Sequence, residues 1–133
     1  MNYRNNEYYK KSVQNKLDDK NIQYCKTYSR FSGRARFIID IGDNKCVYLY
    51  YDSYGYNPNV DLFAGAIIRN YSFDEACDMA LNDCIKHRIY NNINIHNGNI
   101  AKLSEGPKDD MGHPTWTIRG VLDRSIDING NEL

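Results

Sequence analysis

Proline, tryptophan and histidine are scarce in this sequence, with 3, 1 and 3 residues among 133. No run approaches the roughly 18 uncharged apolar residues that would span a bilayer. The segment 1–11 is polar and charged, whereas a secretion signal needs an apolar stretch. We therefore expect an intracellular, cytoplasmic protein with no membrane segment.

Recognised catalytic motifs are also missing. The sequence contains no glycine-rich nucleotide loop, no P-loop, no nucleophile elbow and no His-Glu-x-x-His. Four cysteines are present, but without a Cys-x-x-Cys pair or a histidine at ligand spacing: Cys25, Cys46, Cys77 and Cys84. We predict reduced cysteines in the core, no catalytic residue, no cofactor and no metal.

Histidines and carboxylates leave two alternatives open. His96 and His113 could each act as a general base if a partner group lay beside it, whereas His87 is better explained as a helix cap. Two of Asp40, Asp43, Asp52, Asp61, Asp109 and Asp110 could hold Mg²⁺. Their positions on an outward strand face, a turn and loops favour ordinary solvated side chains.

Asparagine, isoleucine and tyrosine are abundant, with 17, 14 and 12 residues against 6 alanines. This bias is expected where coding DNA is rich in A and T, as in low-GC bacteria and their phages. The apolar fraction of 41% is large enough for a hydrophobic core. The length fits a single domain over residues 1–133.

Hydrophobic periodicity in the first half predicts a helix followed by strands. Apolar residues every fourth position predict a helix over 5–19, packed by one edge and ended near Asn21. Strict alternation predicts strands over 34–41 and 45–52, joined by a turn at 42–44, and a third strand follows at 62–70. Ser72 and Glu75 form a capping box that starts a helix from 73 to about 89. Its predicted buried face is Phe73, Ala76, Cys77, Ala80, Leu81, Cys84 and Ile85.

The second half predicts further strands. Asn97-Gly98 favours a hairpin between strands at 92–96 and 99–103. Another strand is expected at 115–122, and 125–133 fits a short edge strand. The predicted fold is α+β, a single domain with an antiparallel sheet built from hairpins and two helices packed on it. Its strand edges would allow a homo-oligomer.

The segment Tyr71-Ser-Phe-Asp-Glu-Ala-Cys-Asp-Met-Ala80 is similar to the strand-then-helix segment of HicB-type antitoxins. The similarity covers only this short, common amphipathic pattern. No residue role is carried over from it.

Tyrosines mark one candidate binding surface. Tyr48 and Tyr50 alternate with core residues of their strand, so they need a cover, which is either the first helix or a partner. The following loop continues the pattern, and its candidate partner-binding residues are Asp52, Tyr54, Tyr56 and Asn57. Tyrosine is enriched in protein contact surfaces because it offers a large area with few rotamers.

A basic, aromatic segment over 20–36 marks a second candidate surface. It contains five bases and no acid, and its candidate phosphate or nucleic-acid ligands are Lys26, Tyr28, Arg30, Arg34 and Arg36. The neutral net charge favours a solvated face instead, because backbone binding normally needs a basic domain.

The leading functional hypothesis is a small, non-enzymatic protein that binds a protein partner. Its size, its composition and the missing catalytic motifs suggest a phage or mobile-element inhibitor of a bacterial defence component. The alternative hypothesis is a nucleotide- or nucleic-acid-binding module that uses the segment 20–36.

Overall fold

The structure, a computed structural model, describes residues 3–28, 35–52, 63–86, 93–119 and 121. Its helices are α1 (Tyr3–Asp19) and α2 (Phe73–Lys86). Its strands are β1 (Tyr24–Tyr28), β2 (Ala35–Gly42), β3 (Lys45–Asp52), β4 (Phe63–Arg69), β5 (Asn94–His96), β6 (Leu103–Glu105) and β7 (Trp116–Ile118). Within these ranges, neither helix is long and apolar enough to cross a membrane.

Five strands form one antiparallel sheet in the order β4-β3-β2-β1-β5. Strands β6 and β7 form a separate two-stranded antiparallel sheet. The expected α+β class, with its antiparallel sheet and two helices, is therefore confirmed. Strand β1, which lies between β2 and β5, is not predicted by the sequence.

The sheet is covered on both faces. On one face, Val13 and Leu17 of α1 pack with Phe37, Ile39 and other core residues, and the β6–β7 hairpin joins this cluster. On the other face α2 contributes Phe73, Ala76 and Cys77, which pack on Cys25, Ile38 and Cys46. We call these the α1 face and the α2 face. The sheet thus lies between two apolar layers.

The β2–β3 hairpin forms where alternation predicts it. Asp43 and Asn44 have φ values of 53° and 55°, as a two-residue type I′ turn requires. The carboxylate of Asp40 accepts a hydrogen bond from the Gly42 amide at 2.9 Å. This turn fixes the register in which Phe37 pairs with Leu49 and Ile38 with Tyr48.

Helix α1 ends in a Schellman motif. Asn21 has a φ of 52°, and its amide donates to the Asp18 carbonyl at 3.0 Å. The Ile22 amide donates to the Leu17 carbonyl at 3.0 Å. The side chains of Leu17 and Ile22 are buried in the same cluster. The predicted helix end at Asn21 is confirmed.

Helix α2 begins at the predicted cap, since the Ser72 hydroxyl accepts a hydrogen bond from the Glu75 amide at 3.2 Å. Its predicted buried face is only partly right. Leu81 and Ile85 are 44% and 67% exposed, because the helix rests on the sheet by a narrower stripe of Phe73, Ala76, Cys77 and Cys84.

The predicted hairpin around Asn97-Gly98 is wrong. β5 pairs with β1 instead, and Asn99 makes a parallel bridge to Ile22. The Asn99 amide donates to the Asn21 carbonyl at 2.5 Å, and its carbonyl accepts from the Gln23 amide at 2.7 Å. A side chain on Gly98 would collide with the Asn21 carbonyl. The glycine therefore serves a close backbone approach rather than a tight turn.

Three further predictions fall partly or wholly outside the described residues. The edge strand predicted at 125–133 lies there entirely, as does the predicted last turn of the second helix at 87–89. The strand predicted at 115–122 corresponds to β7, which covers 116–118.

We predict that Gly98→Ala destabilises the fold by about 1–3 kcal/mol, because the added methyl group must push the Asn21 backbone away from Asn99. Urea unfolding of both proteins measures the difference. The matched control is Gly112→Ala, where φ is 79° but a methyl group would meet open space. Because Gly112→Ala loses stability from its positive φ alone, the two losses have different causes, and a loss at Gly98 below about 1 kcal/mol would contradict the close-approach explanation.

Candidate functional site

A cleft of about 580 Å³ lies between the α2 face of the sheet and the helix α2. We call it the α2 cleft. Four strands and the helix contribute its lining, which is Thr27, Arg36, Tyr48, Tyr50, Ile67, Arg69, Tyr71, Met79, Ala80, Asp83 and Cys84. Its volume lies in the range of sites that take small ligands or a few side chains of a partner.

The α2 cleft exists because of side-chain alternation in β3. Cys46, Tyr48 and Tyr50 point to the α2 face, while Val47 and Leu49 are buried on the α1 face. The sequence left either the first helix or a partner as the cover for the two tyrosines. Helix α1 packs on the opposite face of the sheet, and α2 lies on this face with Ala80 in the same cluster as Tyr48.

One end of the α2 cleft is formed by a polar row of the sheet. The register places Thr27 beside Arg36 and Arg36 beside Tyr50. The Arg36 guanidinium carbon lies 5.9 Å from the Tyr50 ring centroid, and its Nη1 donates to the Ala35 carbonyl at 3.0 Å. A guanidinium held over an aromatic ring is a geometry that recognises planar or anionic groups.

The floor of the cleft is more apolar. Tyr48 pairs with Ile67 on β4, and Ala80 of α2 packs near it. Burial is the main cause that raises the pKa of Tyr48 to about 12, the Cys46 thiol contributes to this shift, and the Arg69 guanidinium opposes it. The Tyr48 hydroxyl therefore stays protonated at neutral pH, so it can donate a hydrogen bond but is a poor base.

The rim of the cleft is accessible to a ligand. Tyr71 is 37% exposed and Met79 is 46% exposed. Arg69 and Asp83 are also exposed, one on the strand wall and one on the helix wall. The rim thus offers one cation and one anion beside two large, partly exposed side chains.

The groups that line the cleft include several that can contact a bound molecule. Its titratable lining consists of arginines, tyrosines, Asp83 and Cys84, whose side chain is buried. His96 and His113, the two histidines in the described part of the chain, do not line it. The cleft can therefore supply stacking surfaces, hydroxyl donors and guanidinium groups to a bound molecule.

His96 and His113 have other contacts. The His96 ring stacks on Tyr24 with 5.2 Å between centroids, and its Nδ1 lies 4.0 Å from the Asp18 carboxylate. His113 lies 3.5 Å from Asp109, which also accepts the His113 amide at 2.7 Å. Across the described ranges, no three His, Cys, Asp or Glu side chains come together as a metal site.

The structure separates two members of the predicted basic surface. Lys26 points to the α1 face, where its Nζ donates to Gln14 at 2.6 Å and lies 5.5 Å from the Phe37 ring. Arg36 points to the α2 face. These two cations therefore cannot contact one ligand on a single face of the sheet.

Most other predicted site residues lie outside the described residues. Tyr54, Tyr56, Asn57, Arg30 and Arg34 are among these. Two more lie at strand ends, where only the backbone is described: Asp52 pairs with Phe63, and Tyr28 pairs with Ala35.

Sequence reasoning missed several residues of the α2 cleft, namely Arg69, Tyr71, Met79 and Asp83. Alternation within the predicted strand 62–70 does place Ile67 and Arg69 on one face. The pairing of β4 with β3, which brings that face beside Tyr48, has no local signal in the sequence.

No family model, no curated protein and no solved structure matches this chain.

We predict that Tyr48→Phe reduces the loss of stability at alkaline pH. Since burial raises the pKa of Tyr48 from 10.0 to about 12, the folded chain keeps a proton that the unfolded chain releases. This contribution is fully present below about pH 10 and is lost as the pH rises through about 12. Urea unfolding at about pH 9 and about pH 11 measures the slope.

The control is the same pair of proteins between about pH 6 and about pH 8, below the ordinary pKa of a tyrosine. The difference in stability between them should stay constant over that range. A Tyr48→Phe protein that loses as much stability as the parent would contradict the buried environment of Tyr48.

Proposed function

We propose that this protein is a non-enzymatic binding protein that takes a segment of a protein partner into the α2 cleft. The observation that carries the proposal is the lining of the cleft. Three tyrosines, two arginines and a methionine line it. They come from β2, β3 and β4, from the segment between β4 and α2, and from α2 itself. These residue types are the ones enriched at the centres of protein interfaces.

The walls of the cleft support a docking role. The floor is a sheet whose two apolar faces are both packed, so Tyr48 and Tyr50 are held on a rigid element. Rigid aromatic anchors lose little conformational entropy on binding. The exposed rim residues Tyr71 and Met79 then add contact area around these anchors.

The chain path supports an extended contact surface. β3 carries Tyr48 and Tyr50 and leads directly into Asp52, Tyr54, Tyr56 and Asn57. Those four residues remain our proposed partner-binding segment. They follow the two cleft tyrosines along the chain, so one partner surface could engage both groups.

The finer proposal is a cytoplasmic phage or mobile-element protein that inhibits a bacterial defence component. Small size supports it, because an inhibitor needs only a surface that covers its target. The excess of asparagine, tyrosine and isoleucine over alanine also supports it, because AT-rich coding sequences have this bias.

A second candidate is the binding of a nucleotide or single-stranded nucleic acid. It is favoured by Thr27 and Arg36, which both belong to the segment 20–36 and line the cleft beside Tyr50. A guanidinium and a tyrosine ring are suited to a phosphate and a base, respectively. The separation of Lys26 from Arg36 weighs against a continuous basic surface.

We predict that the triple variant Arg69→Ala, Tyr71→Ala and Met79→Ala weakens partner binding at least about tenfold, because it removes the exposed rim of the cleft. The three side chains are exposed, so the thermal transition should not change. Native mass spectrometry of tagged protein from a low-GC bacterial lysate identifies the partner, and titration with the purified partner gives the affinity.

The matched control is Ile100→Ala, Met111→Ala and Arg119→Ala, which truncates three exposed side chains that do not line the cleft. This variant should bind as the parent does. Equal binding by the rim variant and the control would contradict docking in the cleft. A co-purifying nucleotide, with steep salt dependence and loss on Arg34→Ala with Arg36→Ala, would favour the second candidate.

We predict that Asp52→Ala with Tyr54→Ala and Tyr56→Ala abolishes partner binding while the thermal transition stays unchanged. Each substitution removes a side chain from the proposed partner-binding segment. The same titration measures the effect. Unchanged affinity would exclude this segment from the partner surface and leave the α2 cleft as the proposed site.

A further inference from the structure

The two outer strands of the five-stranded sheet differ in length. β5 is one outer strand and has only three residues, Asn94–His96. β4 is the other and has seven, Phe63–Arg69. Among the described strands, only β3 pairs with β4. Alternate amide and carbonyl groups of β4 therefore point away from β3, where a further strand can pair with them.

β4 lacks the features by which outer strands ordinarily avoid pairing. Its sequence, Phe-Ala-Gly-Ala-Ile-Ile-Arg, contains no proline and no lysine, and its single charge is at the last residue. Its register with β3 runs without a shift, so no β-bulge bends the strand away. Helix α2 packs mainly on β2 and β3, which lie two strands and one strand inward from β4.

The sequence of β4 is complementary to itself in an antiparallel register. When two copies pair about Ala66, Ile67 of one copy lies opposite Gly65 of the other, on the α2 face. Ile68 lies opposite Ala64, on the α1 face. Each large side chain is thus opposite a small residue. This matching is a property of two identical strands, and it selects a second copy of the chain as the occupant of this edge.

We propose that β4 is a self-association surface, through which two copies of this chain pair antiparallel about Ala66 and form a dimer with one continuous sheet. A two-fold axis perpendicular to the sheet relates the copies, so the contact is closed and ends at two chains. The two Arg69 residues lie at opposite ends of the paired strands, about 20 Å apart. Their repulsion is screened at that distance at physiological salt.

This inference goes beyond the proposed function, and it has a consequence for the α2 cleft. Ile67 and Arg69 of β4 line that cleft. The two-fold axis keeps the α2 faces of both copies on the same side of the sheet, so the two clefts adjoin across the β4 pair. Self-association is measured without any other protein, so its outcome is separate from that of the partner-binding experiments.

The first test is the mass in solution, measured by sedimentation velocity and light scattering over a wide range of concentration. We expect the parent to reach twice the mass of one chain. Ile67→Lys should weaken dimerisation at least about tenfold, because it places two like charges near the two-fold axis. Ile67 is half-buried, so a lysine there can extend its ammonium group into water.

The matched control is Ile95→Lys, the same substitution at an exposed isoleucine of the other outer strand, β5. This variant should dimerise as the parent does. A parent that stays monomeric at every concentration, assemblies larger than a dimer, or an equal effect of the two substitutions would overturn the proposal.

A disulfide experiment tests the register and does not depend on the lysine variant. Gly65→Cys and Ile67→Cys proteins are mixed, left to exchange and oxidised. Opposite residues are close enough for a disulfide, whereas two copies of the same position lie about 8 Å apart, which is too far. The native cysteines are buried, so they should not cross-link. We expect a cross-linked dimer in the mixture and none in either protein alone. No cross-link in the mixture, or equal cross-linking of either protein alone, would contradict pairing about Ala66.

Discussion

Strand β2 carries apolar side chains that are buried on both faces of the sheet. The packing of both helices depends on these side chains. Phe37 and Ile39 are 0% exposed on the α1 face, and Ile38 is 0% exposed on the α2 face. Side chains alternate strictly along a strand, so a slip of one residue would exchange the two faces. Each face presents a different set of partners, and such a slip would therefore disrupt both helix contacts at once.

Much of the fold follows from local signals. The β2–β3 hairpin has alternating apolar residues and a turn that tolerates positive φ at Asp43 and Asn44. The start of α2 has Ser72 at its cap. Both features depend on residues close in sequence, so their physical causes can be read without knowledge of the fold.

The parts that could not be predicted depend on distant contacts. The sequence of β1 indicates a basic segment, because the charge of Lys26 masks the apolar pattern of its neighbours. Only the structure shows that Lys26 donates a hydrogen bond to Gln14 on the α1 face. Asn97-Gly98 reads as a hairpin, because the approach of Asn21 is invisible locally. The alternation of Tyr48 and Tyr50 indicates that their side chains need a cover. Only the packing of α2 shows that this helix lies on their face of the sheet and which residues form the rim of the cleft.

The short strand β5 covers one edge of β1. It pairs with three residues of β1, and the Asn99 carbonyl accepts the amide of Gln23 just before that strand. A fragment ending at Lys86 would lack both contacts, so β1 would become the outer strand with bare amide and carbonyl groups. Residues 94–99 therefore keep this edge of β1 from pairing with other chains.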